Sequence, residues 1–369
     1  MISPPAHRGM RRYLLGIPGT IIVCAVIAII VVSIVHPASS SPAAGTGGLD
    51  GGHPGAHPGA VAVTVPAART YVHKVARIPV LAWHQVIGGV ATTTAEDVIW
   101  NFGRDCNPAA AVCDAPGNPE TVSLAQLGAE LRWLNQQGYH SITAAQYYAW
   151  DEGKKVALPS RPILLTIDDG TLSSFVNVTA VLQRYGDRMV AFIVSQFADG
   201  ATANQEPYAG WNATWAYLNA LPAAQWSFAF HAGAHGHNVT FPGNPGCTYY
   251  YSCQLPAETT AQYEQRVSGE IAAGRGVELA ELGARFDTDM WAVPWNDLGN
   301  QLNLPSEGAA GTWLASWAAI RFPVIFIQDP LHNGYEHERY RLEIQGTWSL
   351  AVFKSNFLRN ERLGFFHAG

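Results

Sequence analysis

Apolar positions along the chain fall into short β-type runs separated by segments of helical period. Runs at Ile78 to Ala82, Ile163 to Ile167, Val190 to Val194, Ser227 to Phe230, Met290 to Val293 and Pro323 to Ile327 predict strands. Between them the spacing predicts helices over Leu124 to Gln137, where Leu127, Leu131 and Leu134 share a face, and over Ser173 to Tyr185, Thr259 to Leu282 and Thr312 to Ile320. A last helix is expected over Leu350 to Leu358. This alternation is the signature of an α/β domain with a largely parallel sheet. Three stretches, Ile87 to Thr121, Gln196 to Tyr217 and Gly236 to Pro256, lack periodicity and are rich in Gly, Pro, Asn and aromatics, so they read as long loops on one domain.

The N-terminal part follows a different pattern. Leu14 to Val35 carries no charge and is long enough to cross a bilayer as a helix. Arg8, Arg11 and Arg12 precede it and no basic cluster follows, which puts the N-terminus in the cytoplasm and everything after His36 outside. The expected organisation is a cytoplasmic segment 1–12, a transmembrane anchor 13–35, a Pro/Ala/Gly linker 36–70 and a folded domain 71–369. The location expected is therefore the cell membrane, single-pass, with the domain extracytoplasmic; secretion after cleavage near Ala38 to Ala44 is the alternative.

Composition narrows this further. Hydrophobic content of 48% with 12 Trp, 14 Tyr and 14 Phe is ample for one core. The net charge of −6, with no basic run beyond the first dozen residues, gives no reason to expect a nucleic-acid partner. Cys24 lies in the apolar span, which leaves Cys106 with Cys113 and Cys247 with Cys253 as closely spaced pairs. In an oxidising compartment two local disulfides are the simplest reading, and neither spacing is that of a C-x-x-C zinc site.

Chemistry is concentrated at strand ends, where parallel α/β folds keep catalytic groups. RPILLTIDDG ends an apolar strand with Asp168, Asp169 and Gly170. Adjacent strand residues point to opposite faces, so both carboxylates reach one site only if the strand breaks there, as Gly170 permits. FHAGAHGHN places His231 after a strand and His235 four residues on, with His237 as a competitor. That spacing lets both imidazoles face one point if the backbone turns helically, and two His with one carboxylate would leave positions open on a zinc ion. IPVLAWHQV ends a strand in His84, and DMWAVPWND sets Pro294 before Trp295. Taken singly, a D-D-G is also an ordinary turn, and a strand-end His is also a cap.

In this order the pieces resemble the polysaccharide deacetylase (NodB-homology) family of carbohydrate esterases over roughly Arg77 to Gln345, and the poly-N-acetylglucosamine deacetylase branch most. The resemblance implies a distorted (β/α) barrel of the NodB-homology type. It implies one divalent metal ion, usually zinc, held by Asp169, His231 and His235, with Asp168 as general base and His84 as acid. The Trp295 backbone N–H after Pro294 would stabilise the oxyanion. Trp83, Trp291 and Trp295 would be available to stack on sugar rings. The implied activity is removal of N-acetyl groups from an N-acetylglucosamine polymer, exopolysaccharide or cell-wall glycan, with release of acetate.

Departures are visible. The family's T-F-D-D is T-I-D-D here, Asn296 replaces the usual Gly, and Ala292 stands where many members carry the Arg that orients the base. His332, on a loop in VIFIQDPLHNG, is the reserve acid, and the following RYRLEIQG reads as a closing strand. The alternatives left open are a degenerate barrel that binds glycan without hydrolysing it and a metallohydrolase of another amide or ester.

Overall fold

The computed structural model describes residues 75–88, 120–198, 212–235, 251, 253–255, 257–296, 298, 308–328 and 337–366. The chain divides into two units, Met1–Ala62 and Val63–Gly369, and all the described residues lie in the second. Among them no helix is long and apolar enough to cross a membrane. The expected span 13–35, the linker, Cys106, Cys113, Cys247, His237 and His332 all lie outside the described residues. Cys253 is disulfide-bonded.

In chain order the strands are β1 (Val80–Trp83), β2 (Gln85–Ile87), β3 (Thr121–Ser123), β4 (His140–Ser141), β5 (Pro162–Ile167), β6 (Met189–Val194), β7 (Trp226–Ala232), β8 (Phe286–Ala292), β9 (Val324–Ile327), β10 (Glu338–Tyr340) and β11 (Leu342–Glu343). The helices are α1 (Leu124–Gln136), α2 (Ala144–Asp151), α3 (Leu172–Tyr185), α4 (Ser195–Ala198), α5 (Trp215–Ala220), α6 (Thr260–Leu282), α7 (Gly308–Arg321) and α8 (Leu350–Leu363). All the strand pairings described are parallel, as the alternating pattern requires.

The main sheet runs β10-β9-β8-β7-β6-β5-β1-β11. Its two edge strands, β10 and β11, are separated in the chain by Arg341 alone. The Arg341 N–H donates to Ile327 O on β9 at 2.8 Å, and the Ile344 N–H donates to Ala82 O on β1 at 2.9 Å. One run of chain thus pairs with β9 and then with β1, which brings the sheet edges together and closes it into a barrel.

Strand parity sorts the core. Leu164, Val190, Phe192, Ala229, Met290, Val324 and Phe326 form one buried cluster. Their neighbours Leu165, Ala191, Ile193, Phe228, Phe230, Trp291 and Ile325 form another, shared with α1, α3, α6 and α8. The first set fills the barrel and the second packs under the helices, as a period of two demands. On β5 this parity puts Leu164, then Thr166, then Asp168 on the inner face, which aims Asp168 into the barrel mouth.

Observed elements extend the expected ones mainly at their ends. β8 begins at Phe286 rather than Met290 because Asp287, Thr288 and Asp289 are half-buried and hide the strand pattern. α2 has no counterpart in the sequence reading, although Thr143 and Gln146 form a complete capping box at its start.

Candidate active site

β5 ends at Ile167, and the Asp168 N–H still donates to Trp83 O at 3.0 Å, so Asp168 is held in register with β1. The break expected at Gly170 starts one residue earlier. Asp169 itself is left-handed at φ 72° and Gly170 follows at φ 84°, closed by a Gly170 N–H to Asp168 O bond of 2.9 Å. Two successive positive φ values swing Asp169 from the outer to the inner side. Asp tolerates this region better than most side chains, and Gly occupies it without strain.

Asp168 is almost fully buried and is gripped by Arg341, whose Nη1 and Nη2 donate to its two carboxylate oxygens at 2.7 and 2.6 Å. Arg341 Nη1 also donates to Thr166 Oγ1 at 3.1 Å, two residues down the same face of β5. Burial alone would raise the Asp168 carboxyl, but the Arg341 charge and its hydrogen bonds, helped by His231 and His84, hold it below its ordinary value. Position 292 is Ala, and the arginine that meets Asp168 comes instead from the barrel-closing strand. Sequence reading saw RYRLEIQG as a strand but gave Arg341 no role; its spacing of two from Arg339 was the available signal.

His231 belongs to β7 itself rather than following it, because Ala232 pairs with Val194 and prolongs the strand. Its Nδ1 lies 2.7 Å from Ala292 O, so Nδ1 donates to that carbonyl and Nε2 is the nitrogen turned toward Asp169. That Nε2 lies 3.4 Å from Asp169 Oδ1. The backbone here is held by Trp291 Nε1 donating to His231 O at 2.9 Å, Ser195 Oγ to Ala232 O at 3.2 Å, and the Gly233 N–H to Tyr251 Oη at 3.1 Å.

His235 does not follow a helical turn from His231. It sits exposed on a bend, with its N–H donating to Glu270 Oε1 at 2.8 Å, because the chain stays extended through Ala232. Asp169 and His231 are therefore brought together, and His235 is not among the residues that line their cleft.

His84 follows β1 with its Nε2 3.8 Å from Asp168 Oδ2. Its strand is tied to the start of α3: Ser174 Oγ donates to His84 O at 3.3 Å and accepts from the Val86 N–H at 3.0 Å, while Asn177 Nδ2 donates to Val86 O at 3.0 Å. Burial disfavours the imidazolium, yet Asp168, Asp169, Glu120 and Glu343 outweigh it and hold His84 above its ordinary 6.5.

Pro294–Asn296 form a tight turn after β8, in which Trp295 and Asn296 are both left-handed at φ 58°. Asn296 Oδ1 accepts from the Gln328 N–H at 2.5 Å, which ties this turn to the end of β9. A narrow cleft is lined by His84, Glu120, Asp168, Asp169, His231, Val293, Trp295 and Gln328. Trp83 and Trp291 are fully buried, with Trp83 Nε1 on Glu130 Oε2 at 3.1 Å, so of the three tryptophans only Trp295 lines this cleft.

Among solved structures, a de-N-acetylase from Aggregatibacter actinomycetemcomitans matches at a TM-score of 0.55 and 20% identity, over 76% of this chain and 99% of its own. The chain shares the fold of that protein. The deacetylase domain of BpsB from Bordetella bronchiseptica is similar at 0.49 and 20% identity, over 72% and 94% of the two chains. IcaB from Ammonifex degensii is similar at 0.48 and 15%, over 77% and 97%. No protein-family model and no curated protein matches this chain. The barrel expected from the motifs is thus the barrel observed, carried on a fold shared with a solved deacetylase.

Proposed function

We propose that this chain is a metal-dependent N-deacetylase of an N-acetylglucosamine-containing polysaccharide, an exopolysaccharide or a cell-wall glycan, and that residues 13–35 hold it at the cell membrane with the barrel outside. The observation that carries the reading is the Arg341-bound carboxylate of Asp168, which stands beside the Asp169–His231 pair and faces His84 in one cleft. Removal of an N-acetyl group is supported by the de-N-acetylase that shares the fold.

Asp169 and His231 suit a divalent metal. One offers a carboxylate oxygen and the other a lone-pair Nε2, whose ring is fixed by the Ala292 carbonyl behind it. His235 or His237 would complete the set. When bound, zinc or a similar ion would acidify a water and polarise the acetamide carbonyl. Asp168 would take a proton from the attacking water, kept ionised through neutral pH by Arg341. The Trp295 N–H would face the oxyanion, with Pro294 stiffening the turn that presents it. His84 would give a proton to the departing sugar amine.

The test is acetate release by the metal-loaded full chain from chitin oligomers, β-1,6-linked N-acetylglucosamine oligomers and peptidoglycan fragments. Asp168→Asn is expected to abolish turnover while keeping about one equivalent of metal. A parent chain that binds metal but releases no acetate from any of them would refute the enzyme reading in favour of a glycan-binding barrel.

A further inference from the structure

More acid gathers around His84 than the proposed reaction uses. His84, Glu120 and Glu343 each offer one ligand-type atom, and the three atoms lie within 4.8 Å of one another. They arrive from three separate stretches of chain. Glu343 on β11 stands opposite Ala82 on β1, two residues before His84. On the other side β2 and β3 pair with Gln85 facing Thr121, so Glu120 falls opposite His84 in the same register. All three residues are half-buried, and the His84 Nδ1 atom is enclosed and makes no hydrogen bond.

Two carboxylates this close repel each other unless a positive charge or a proton stands between them. His84 is the titratable group the fold places there. The other charged groups facing it are Asp168 and Asp169 from β5, with Asp168 already matched by Arg341. We infer that Glu120 and Glu343 are positioning residues that hold and orient the His84 imidazolium for proton delivery to the leaving amine. This rests on the deacetylase reading above.

The step balances without an added reagent. As the C–N bond of the tetrahedral adduct breaks, its electron pair goes to nitrogen and the acetate carbonyl re-forms. The nitrogen takes the proton from His84, and the neutral imidazole regains one from solvent. An amide needs that proton because an amide anion is a very poor leaving group. An aryl acetate does not, since a nitrophenolate leaves unaided.

The metal-loaded full chain, Glu120→Gln, Glu343→Gln and the double variant are compared on an N-acetylglucosamine oligomer and on 4-nitrophenyl acetate. Metal content and the pH profile are measured on the same samples. The expected result is a fall of about tenfold or more in kcat on the oligomer for the double variant, with KM within about twofold and ester turnover nearly unchanged. The alkaline limb of the oligomer profile should move to lower pH. Equal losses on both substrates would show a merely structural role, and no loss on the oligomer would remove the glutamates from the reaction; either overturns the inference. A parent chain with two equivalents of metal that drops to one in the variants would overturn it too, by making the cluster a cation site. A parent that hydrolyses the ester but none of the oligomers would instead remove the deacetylase reading, and the inference with it.

Discussion

Arg341 grips Asp168 through both carboxylate oxygens, at 2.7 and 2.6 Å, across the inside of the barrel mouth. Its guanidinium lies over Phe192 and Phe326, 5.2 and 5.7 Å from the ring centroids, so the pair is sealed from below by the apolar barrel core. The residue that joins β10 to β11 is also the one that neutralises the Asp168 carboxylate. Barrel closure and formation of this ion pair are therefore one structural event.

Removing the cation should be far worse than removing both charges. Arg341→Met leaves a buried carboxylate unpaired and is expected to cost about 3–5 kcal/mol in urea denaturation, while Arg341→Met with Asp168→Asn together should recover part of that. Arg341→Lys should restore charge but not the two-pronged contact, so kcat should stay well below the parent's. A loss under about 1 kcal/mol for Arg341→Met would show that the pair is not buried as described.

Glycines on α6 should respond in opposite directions. A Cβ at Gly274 would meet Gly233 Cα at 2.7 Å and Phe230 Cε2 at 2.9 Å, directly behind the His231 strand. Gly274→Ala is expected to destabilise by roughly 1–3 kcal/mol through overpacking. Gly276, on the same helix, has nothing within 4 Å of such a Cβ. Gly276→Ala should therefore stabilise by up to about 1 kcal/mol through helix propensity, and thermal melts of the two variants should bracket the parent.

Gly170→Ala tests the break after the aspartate pair. Gly170 combines φ +84° with Ile193 Cδ1 at 3.3 Å from a built Cβ, whereas Gly153 has φ +66° and open space. Both substitutions should cost about 1–2 kcal/mol for the left-handed backbone alone, with Gly170→Ala costing more. Only Gly170→Ala should lower acetate release. Equal denaturation midpoints would discount the Ile193 contact.

Glu130 gives the fold a pH dependence outside the reacting groups. It is fully buried under Trp83 Nε1 and Gln126 Nε2, and burial, which the two hydrogen bonds only partly offset, raises its carboxyl from 4.5 to about 7. In the folded chain it keeps a proton that the unfolded chain has already released. The stability it contributes is thus present below pH 4.5 and lost as pH rises through about 7. The loss is on the order of 3 kcal/mol at most. Glu130→Gln should flatten that part of the stability curve; an unchanged slope in denaturation across this range would remove Glu130 as its source.

Local sequence determined the strand ends and what they carry. Six apolar runs lead into the turns bearing His84, Asp168 with Asp169, His231 and Pro294 with Trp295, or form the strands beside them, because period and strand-end chemistry are written in neighbouring residues. What the sequence could not supply was the partner on the opposite wall. Arg341 lies 173 positions from Asp168, and Glu343 and Glu120 meet His84 only after β11 and β3 have paired with β1 and β2. Those encounters depend on the register with which the closing strand joins the two sheet edges and on that of β3 against β2, and register is a property of the assembled fold. The same reason explains His235: a spacing of four suggested a shared turn, but pairing of Ala232 with Val194 kept the backbone extended.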